Sequence, residues 1–218
     1  MVSMSYDAID YHSEHAADFA RQYEDSPVFR ERLAVWTRLI DRYADPARDT
    51  IDVGCGAGTL SAVAARHSCS VLGVDASATM LEAARVFTAG LPVSYRLATI
   101  EQLGKDPPPP AGLVICSSVL EYVPDLSGSV RVLASLVDAG GHLIVSMPNP
   151  RSLYRKAERL AFRLSRRPAY YRHVRSTVSA EDLAAEAAGF GLELVESPVY
   201  GRGTGRLGSA TYAAVFVR

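Results

Sequence analysis

The sequence is poor in cysteine, has almost no net charge and lacks a long apolar run. Its three cysteines, Cys55, Cys69 and Cys116, have the spacing of neither a metal site nor a disulfide framework, which indicates reduced thiols in a cytoplasmic protein. No stretch of about 20 apolar residues could span a bilayer, and no N-terminal segment resembles a signal peptide. The net charge of −1 carries no nucleic-acid signature.

Apolar residues make up 48% of the chain, which excludes disorder, and 218 residues suit one domain with a full core. We therefore predict a single domain over 1–218. Helical periodicity over 5–43, broken at Ser26-Pro27, predicts a helical N-terminal cover over 1–44.

Residues 50–60 read Thr-Ile-Asp-Val-Gly-Cys-Gly-Ala-Gly-Thr-Leu, a pattern that predicts a buried strand, a glycine turn and a helix. The helix is expected to run to about His67, with Thr59 as its N-cap. Three residues without a Cβ let the turn bend sharply and approach a ligand closely: Gly54, Gly56 and Gly58.

An acid, Asp52, precedes this turn in an otherwise apolar strand. A dinucleotide-binding turn has the spacing G-x-G-x-x-G and holds a pyrophosphate, which a carboxylate would repel. The spacing here is G-x-G-x-G, and the acid suits a ligand with an ammonium and no phosphate. A dinucleotide enzyme, or a glycine turn without a ligand, remains an alternative.

With the acid and the glycine spacing together, the motif resembles the first motif of the class I S-adenosylmethionine-dependent methyltransferases, Asp-x-Gly-x-Gly-x-Gly. The resemblance implies an α/β fold with a single doubly wound, mostly parallel seven-stranded sheet, Rossmann-like, closed by a C-terminal antiparallel hairpin. It also implies S-adenosylmethionine as cofactor and S-adenosylhomocysteine as product.

The second predicted strand, 70–77, ends in Asp75, whose carboxylate can accept hydrogen bonds from both ribose hydroxyls of a nucleoside. Ser77 is expected to cap the next helix. The third strand, 92–99, leads into Thr99, Ile100 and Glu101, which the resemblance places at the adenine; Thr99 stands where the wider family often has an aspartate.

The fourth predicted strand, 112–118, brings Ser117 to the methionine part of the cofactor. The following run, Leu-Glu-Tyr-Val-Pro-Asp, is similar to the family's Leu-Glu-His-Val-Pro-Asp. Tyr122 replaces the histidine, and Ser118 stands where quinone O-methyltransferases tend to have an acid. Both changes argue against a metal site, so none is predicted.

The C-terminal half is predicted to hold a helix over 130–137, a fifth strand over 142–148 and a helix over 180–188. Segments 192–197 and 210–217 are expected to pair as the closing hairpin.

Tyr23 and Arg32 are the cofactor candidates in the N-terminal cover. The complete predicted cofactor site contains Asp52, Gly54, Cys55, Gly56, Gly58, Asp75, Ala76, Thr99, Ile100, Glu101, Ser117, Tyr23 and Arg32. A histidine has a suitable pKa to remove a proton from an oxygen acceptor, and His173 and His12 are the candidates, with His15 beside them.

Residues 151–175 contain nine Arg or Lys and one acid, and an apolar stripe predicts a basic amphipathic helix over 151–164. Three interpretations remain open for this lid-like insert. It is a solvated helix, it captures an anionic substrate or acidic carrier protein, or it docks on an anionic membrane surface.

The main prediction is a small-molecule O-methyltransferase acting on a natural product or a quinone-like ring. The alternatives are N- or C-methylation of an anionic metabolite, and a catalytically silent S-adenosylmethionine-binding module. Nucleic-acid methylation is disfavoured, because the Pro-Asn-Pro run follows the fifth strand and lacks an aromatic residue after proline.

Overall fold

A computed structural model describes residues 26–165, 172–201 and 208–218. The part of the predicted cover before residue 26, with His12, His15 and Tyr23, lies outside these ranges. The described strands are β1 Thr50–Val53, β2 Val71–Asp75, β3 Val93–Leu97, β4 Ala111–Ser117, β5 Val137–Pro148, β6 Glu193–Glu196, β7 Val199–Tyr200 and β8 Thr211–Val217. The described helices are α1 Pro27–Tyr43, α2 Thr59–Ala64, α3 Ala78–Phe87, α4 Ile100–Lys105, α5 Leu126–Ser135, α6 Leu153–Ser165 and α7 Ala180–Ala188.

The strands form a single sheet in the order β3-β2-β1-β4-β5-β8-β6. β1 to β5 pair in parallel, whereas β8 lies antiparallel between β5 and β6. β7 also pairs with β8, so β6 and β7 together make one interrupted edge strand. The sheet therefore has seven strand positions, and the predicted fold class with its closing hairpin is confirmed.

The register places β1 in the middle of the parallel part. Asp52 is opposite Gly73 of β2 on one side and Ile115 of β4 on the other. Because parallel strands end at the same edge, the carboxyl ends of β1, β2, β4 and β5 converge there, and open α/β sheets bind their ligands at this edge.

Helices cover both faces of the sheet, and each face has its own apolar core. One core packs α4, α5 and α7 against residues such as Val114 and Phe216. The other packs α1 and α2 around Trp36, which is fully buried, with Ile40 and Val215. Among the described helices, none is long and apolar enough to cross a membrane.

Four local predictions were wrong, and the first is the end of α2, which lies at Ala64 and not near His67. Thr59 is the first residue of α2 and does not cap it, because Gly58 occupies the N-cap position with a left-handed φ of 83°. The fifth strand starts at Val137 and not at residue 142, because Val137 pairs with Ala111. α5 accordingly begins and ends earlier than predicted, and Asp125 caps it by accepting from the backbone N–H of Gly128.

Candidate active site

The glycine turn joins the end of β1 to α2 at the carboxyl edge of the sheet. Gly54 has a φ of 74°, and a Cβ there would collide with the side chain of Val119. Gly56 also has a positive φ, 53°, but a Cβ there would meet no atom within 4 Å. The turn is therefore packed from behind at Gly54 and open in front at Gly56, which leaves room for a ligand against its backbone.

Asp52 is buried behind the turn. Its Oδ2 atom accepts a hydrogen bond from the hydroxyl of Ser61 at 2.6 Å, which ties the first turn of α2 to β1. Burial raises the pKa of Asp52 to about 7, and the charge of Asp75 adds to this shift. The bonds from Ser61 and the charge of Arg32 lower the pKa but do not cancel the effect of burial.

Asp75 ends β2 beside the same turn. Its two carboxylate oxygens accept from the backbone N–H groups of Gly56, at 2.8 Å, and Ser77, at 2.9 Å. These bonds lower the pKa of Asp75, but burial raises it by more. Each oxygen has two lone pairs, so the carboxylate can still accept further donors. As predicted, Ser77 caps α3 by accepting from the N–H of Met80.

Arg32 reaches the same edge from α1. Its Nη2 atom donates to the hydroxyl oxygen of Ser117 at 2.7 Å, at the end of β4. The next residue, Ser118, has a left-handed φ of 58°, which is uncommon for a residue with a side chain and is found more often at functional sites. Its backbone N–H donates to the hydroxyl of Ser146 on β5 at 3.1 Å.

The residues predicted to contact the adenine follow β3. Thr99 caps α4 in a capping box with Gln102, and Ile100 is buried at the first helical position. The Oε2 atom of Glu101 is buried and receives no hydrogen bond from the described chain. Cys55 and Ala76 belong to the glycine turn and the end of β2, and burial raises the pKa of the Cys55 thiol.

A second buried acid, Glu121, lies in the chain that follows β4. β4 is on the opposite side of β1 from β2, which carries Asp75. Its backbone carbonyl accepts from the N–H groups of Arg175, at 2.7 Å, and Ser176, at 3.3 Å. The end of the basic insert is thereby held over the chain that follows β4. His173 is buried in this covering segment, two residues before Arg175. His12 and Tyr23 lie outside the described ranges.

The family of this chain follows from a comparison with protein-family models. A model described as a methyltransferase domain matches residues 28–197. The chain belongs to this family. It is 39% identical over 109 residues to a ubiquinone biosynthesis O-methyltransferase of Alkalilimnicola ehrlichii, over 48% of this chain and 44% of the relative. Identity with the protein of the same name from Marinobacter nauticus is 38% over 119 residues, 51% of this chain and 50% of the relative.

The chain thus spans about half the length of the curated relatives it matches. Among solved structures, the N-methyltransferase NodS of Bradyrhizobium japonicum, in complex with S-adenosylhomocysteine, has a TM-score of 0.74 at 18% identity, over 97% of this chain and 98% of that chain. This likeness shows the shared fold. The predicted family, the S-adenosylmethionine-dependent methyltransferases with S-adenosylmethionine as their cofactor, is confirmed.

The site fits the cofactor of these methyltransferases in three respects. The open face of Gly56 leaves space against the backbone. Asp75 stands at the tip of the neighbouring strand, where a ribose donor can reach it. The buried Oε2 of Glu101 needs a donor, and an adenine amino group is one.

Several residues of this methyltransferase site escaped sequence reasoning. Ser61 bonds Asp52, and the only available signal was a serine in the first turn after the glycine motif. Tyr95 lies beneath the turn, where a Cβ on Gly58 would come within 2.8 Å of its hydroxyl. In the sequence, Glu121 is marked only by its place in the Leu-Glu-Tyr-Val-Pro-Asp run. Arg155 is marked only as one of the nine basic residues of 151–175.

Proposed function

We propose that the chain transfers the methyl group of S-adenosylmethionine to a hydroxyl of a small molecule. The observation that carries this proposal is the pair of acids around an open glycine turn, the buried Asp52 and the partly buried Asp75, near the ends of adjoining strands. A buried acid with a raised pKa gains most from a cationic ligand, and the cofactor's ammonium supplies one.

The proposed roles divide the site between the two ends of the cofactor. Asp52 supplies negative charge behind the turn, and Asp75 accepts from the ribose. Arg32, held by Ser117, suits a carboxylate at the methionine end. Ile100 packs against the adenine ring, and Glu101 accepts from its amino group.

When bound, S-adenosylmethionine brings an activated methyl group, so the hard chemistry belongs to the cofactor. The chain holds the acceptor oxygen in line and excludes water, and such positioning supplies up to about 7–11 kcal/mol. The acceptor is expected over β4, β5 and β8, because the acids on β1 and β2 take the other half of the sheet edge.

A hydroxylated ring is the favoured acceptor class, because the matched curated relatives are named ubiquinone biosynthesis O-methyltransferases. Their lengths exceed the matched part, so the acceptor of this chain is a proposal. N- or C-methylation of an anionic metabolite and a silent cofactor-binding module are the alternatives. The predicted cytoplasmic location stays a prediction.

The first experiment is calorimetric titration of the purified protein with S-adenosylhomocysteine. We expect binding by the wild type and about 10- to 100-fold weaker binding by Asp75→Asn, since a charge-assisted hydrogen bond is worth about 1.5–3 kcal/mol. The matched control is Asp106→Asn, on an exposed acid of the loop before β4, which should bind like the wild type.

Incubation with S-adenosylmethionine and a panel of phenols, amines and carboxylic acids then identifies the acceptor class from the mass of the product. Methylation of phenols supports the proposal. Methylation of amines alone contradicts it, and binding without turnover on the whole panel favours the silent module. Absence of binding by the wild type contradicts the whole proposal.

A partner surface is proposed on α6. Its inward side carries polar groups, since Arg155 donates to the carbonyl of Ala210 at 2.9 Å and pairs with Glu158 at 2.7 Å. Its outward side carries the predicted apolar stripe, and Leu160 and Leu164 are 58% and 82% exposed. The helix is therefore amphipathic in the reverse sense to one that packs on a core.

We propose that this outward stripe docks on an anionic lipid surface. Exposed basic residues, Lys156, Arg159 and Arg163, accompany the leucines, a combination typical of helices that lie in a membrane interface. An acidic carrier protein would use the charges but has less need of the leucines. A quinone-like acceptor would be found in such a membrane.

A further inference from the structure

Glu121 is buried and carries a carboxylate oxygen that has no hydrogen-bond partner among the residues that the structure describes. The residue is 4% exposed, and its Oε2 atom accepts no hydrogen bond from the residues that the structure describes. Buried carboxylates are almost always bonded, so an orphaned oxygen indicates a missing partner. Nothing in the cofactor half of the site uses this group.

Glu121 lies at the part of the sheet edge formed by β4, β5 and β8, where the methyl acceptor is expected to bind. It follows β4, and the covering segment at Arg175 and Ser176 bonds its backbone carbonyl. The charge of Arg32 on α1, whose guanidinium also bonds Ser117, lowers the pKa of Glu121. The same arginine therefore bonds the end of β4 and acts electrostatically on Glu121.

Among the described residues, four charged or titratable groups interact electrostatically with Glu121: Arg32 of α1, Arg155 of α6, Cys116 of β4 and Tyr212 of β8. Burial raises the pKa of Glu121 to about 7, while its own backbone N–H and the two arginines lower it. The pKa values of Cys116 and Tyr212 are raised by burial and by the charge of Glu121, so both stay neutral.

We propose that the carboxylate of Glu121 accepts the hydroxyl proton of the methyl acceptor. This inference rests on the proposed function. In the step, the acceptor O–H bond breaks and its proton moves to Glu121. The oxygen forms a bond to the methyl group as the S–CH₃ bond breaks, and the sulfur keeps the bonding pair. Glu121 returns its proton to solvent after the product leaves.

The assignment differs from the predicted histidine bases, His173 and His12, which stay predictions. Glu121 combines a buried carboxylate oxygen that accepts no hydrogen bond from the described residues with a pKa raised to about 7, and both features suit a group that takes up a proton. The test must therefore separate Glu121 from His173 as well as from a structural role.

The experiment compares two probes, catechol and 4-nitrocatechol. The hydroxyl of 4-nitrocatechol that is para to the nitro group is largely ionised just above neutral pH, so methylation at that oxygen needs no base. We expect Glu121→Gln to lower kcat for catechol by about 10²- to 10⁴-fold and kcat for 4-nitrocatechol far less. Glu82→Gln, on the exposed face of α3, is the matched control and should keep wild-type rates.

The pH profile gives a second readout. With S-adenosylmethionine saturating at every pH, so that protonation of Asp52 does not contribute, wild-type kcat/KM for catechol should fall as the pH falls through about 7, because the Glu121 carboxylate becomes protonated, and Glu121→Gln should lose this dependence. Equal losses on both probes would assign Glu121 a structural role and overturn the proposal. Full turnover by Glu121→Gln, with loss in His173→Gln, would assign the proton to the histidine.

A readout independent of turnover is the carboxylic-acid C=O band in infrared spectra of the protein alone. Asp52 and Glu121, whose pKa values are both raised to about 7, should each contribute to a wild-type band that is present below neutral pH and disappears above it, and Glu121→Gln should lack the Glu121 part of that band. A wild type without this band overturns the proposal. A wild type that binds S-adenosylhomocysteine but methylates neither probe refutes the hydroxyl acceptor and, with it, the base.

Discussion

Two buried carboxyls, Asp52 and Glu121, set the chemistry at the scale of single residues. Burial raises the pKa of each to about 7. A carboxyl with a higher pKa in the folded chain binds more protons there, so the free energy of unfolding falls as pH rises from about 4 to about 7. Both acids therefore cost stability near neutral pH, and a bound cation offsets that cost at Asp52.

The residue-scale prediction is that affinity for S-adenosylhomocysteine weakens as pH falls below neutrality. Its ammonium favours the ionised form of Asp52, so below a pKa of about 7 binding must expel a proton, and Kd rises by up to about tenfold per pH unit. Calorimetry on either side of pH 7 measures this. Asp52→Asn should bind more weakly above neutrality and show a flatter pH dependence.

Asp106→Asn serves as its control and should keep the wild-type dependence on pH. A wild-type Kd that is the same on both sides of neutrality would remove Asp52 from the ammonium site. Full pH dependence in Asp52→Asn would assign the titration to Asp75, whose pKa is also raised by burial.

At the scale of elements, α6 has an unusual orientation. Arg155 and Glu158 face the protein, whereas Leu153, Leu160 and Leu164 face away from it. The sequence predicts the helix and its stripe correctly, but periodicity alone does not say which side packs on the protein. A helix whose apolar side faces outward needs another apolar surface to gain from its burial.

The element-scale prediction concerns binding to vesicles. The wild type should co-sediment with phosphatidylcholine vesicles that contain phosphatidylglycerol, and more weakly with phosphatidylcholine alone, because the basic residues need anionic lipid. Leu160→Asp should lose most of this binding. Leu97→Asp is the matched control, since Leu97 is equally exposed, at 58%, on the opposite edge strand β3.

If Leu160→Asp and the wild type bind the vesicles equally, the lipid proposal is wrong. Salt-sensitive binding to an acidic protein that survives Leu160→Asp would instead assign the insert to a carrier.

At the scale of the whole molecule, α1 connects the core to the site. Trp36 is fully buried, and its Nε1 atom donates to the hydroxyl of Tyr200 at 3.2 Å, across 164 residues of sequence. Arg32, one turn earlier on the same helix, reaches Ser117. The packing that stabilises the fold therefore also places a side chain at the site.

The whole-molecule prediction is that Trp36→Ala lowers the free energy of unfolding by about 3–5 kcal/mol, through lost burial and a cavity. Urea denaturation measures it. Val86→Ala, at an exposed position of α3, should stay within about 0.5 kcal/mol of the wild type. A loss of under about 1 kcal/mol for Trp36→Ala would mean that α1 contributes little to the core.

The sequence by itself determined the first strand, the glycine turn and the two acids near the ends of adjoining strands, because each of these features is contained in a short segment with a recognisable local pattern. It also determined the alternation of strands and helices and the closing hairpin. The ends of some elements differ from the prediction because strand pairing outweighs the hydrophobic pattern. Val137, for example, belongs to β5 because it pairs with Ala111 of β4.

Only the tertiary structure decided which side of α6 faces outward, that Ser61 bonds Asp52, and that the charges of Arg32 and Arg155 act on Glu121. Glu121 and its two arginines come from three elements far apart in the chain. Hydrophobic periodicity shows which residues of an element share an apolar face, but neither whether that face packs on the protein nor which distant side chain it meets. The burial that shifts these acids toward neutral pKa values exists only once those elements have packed together.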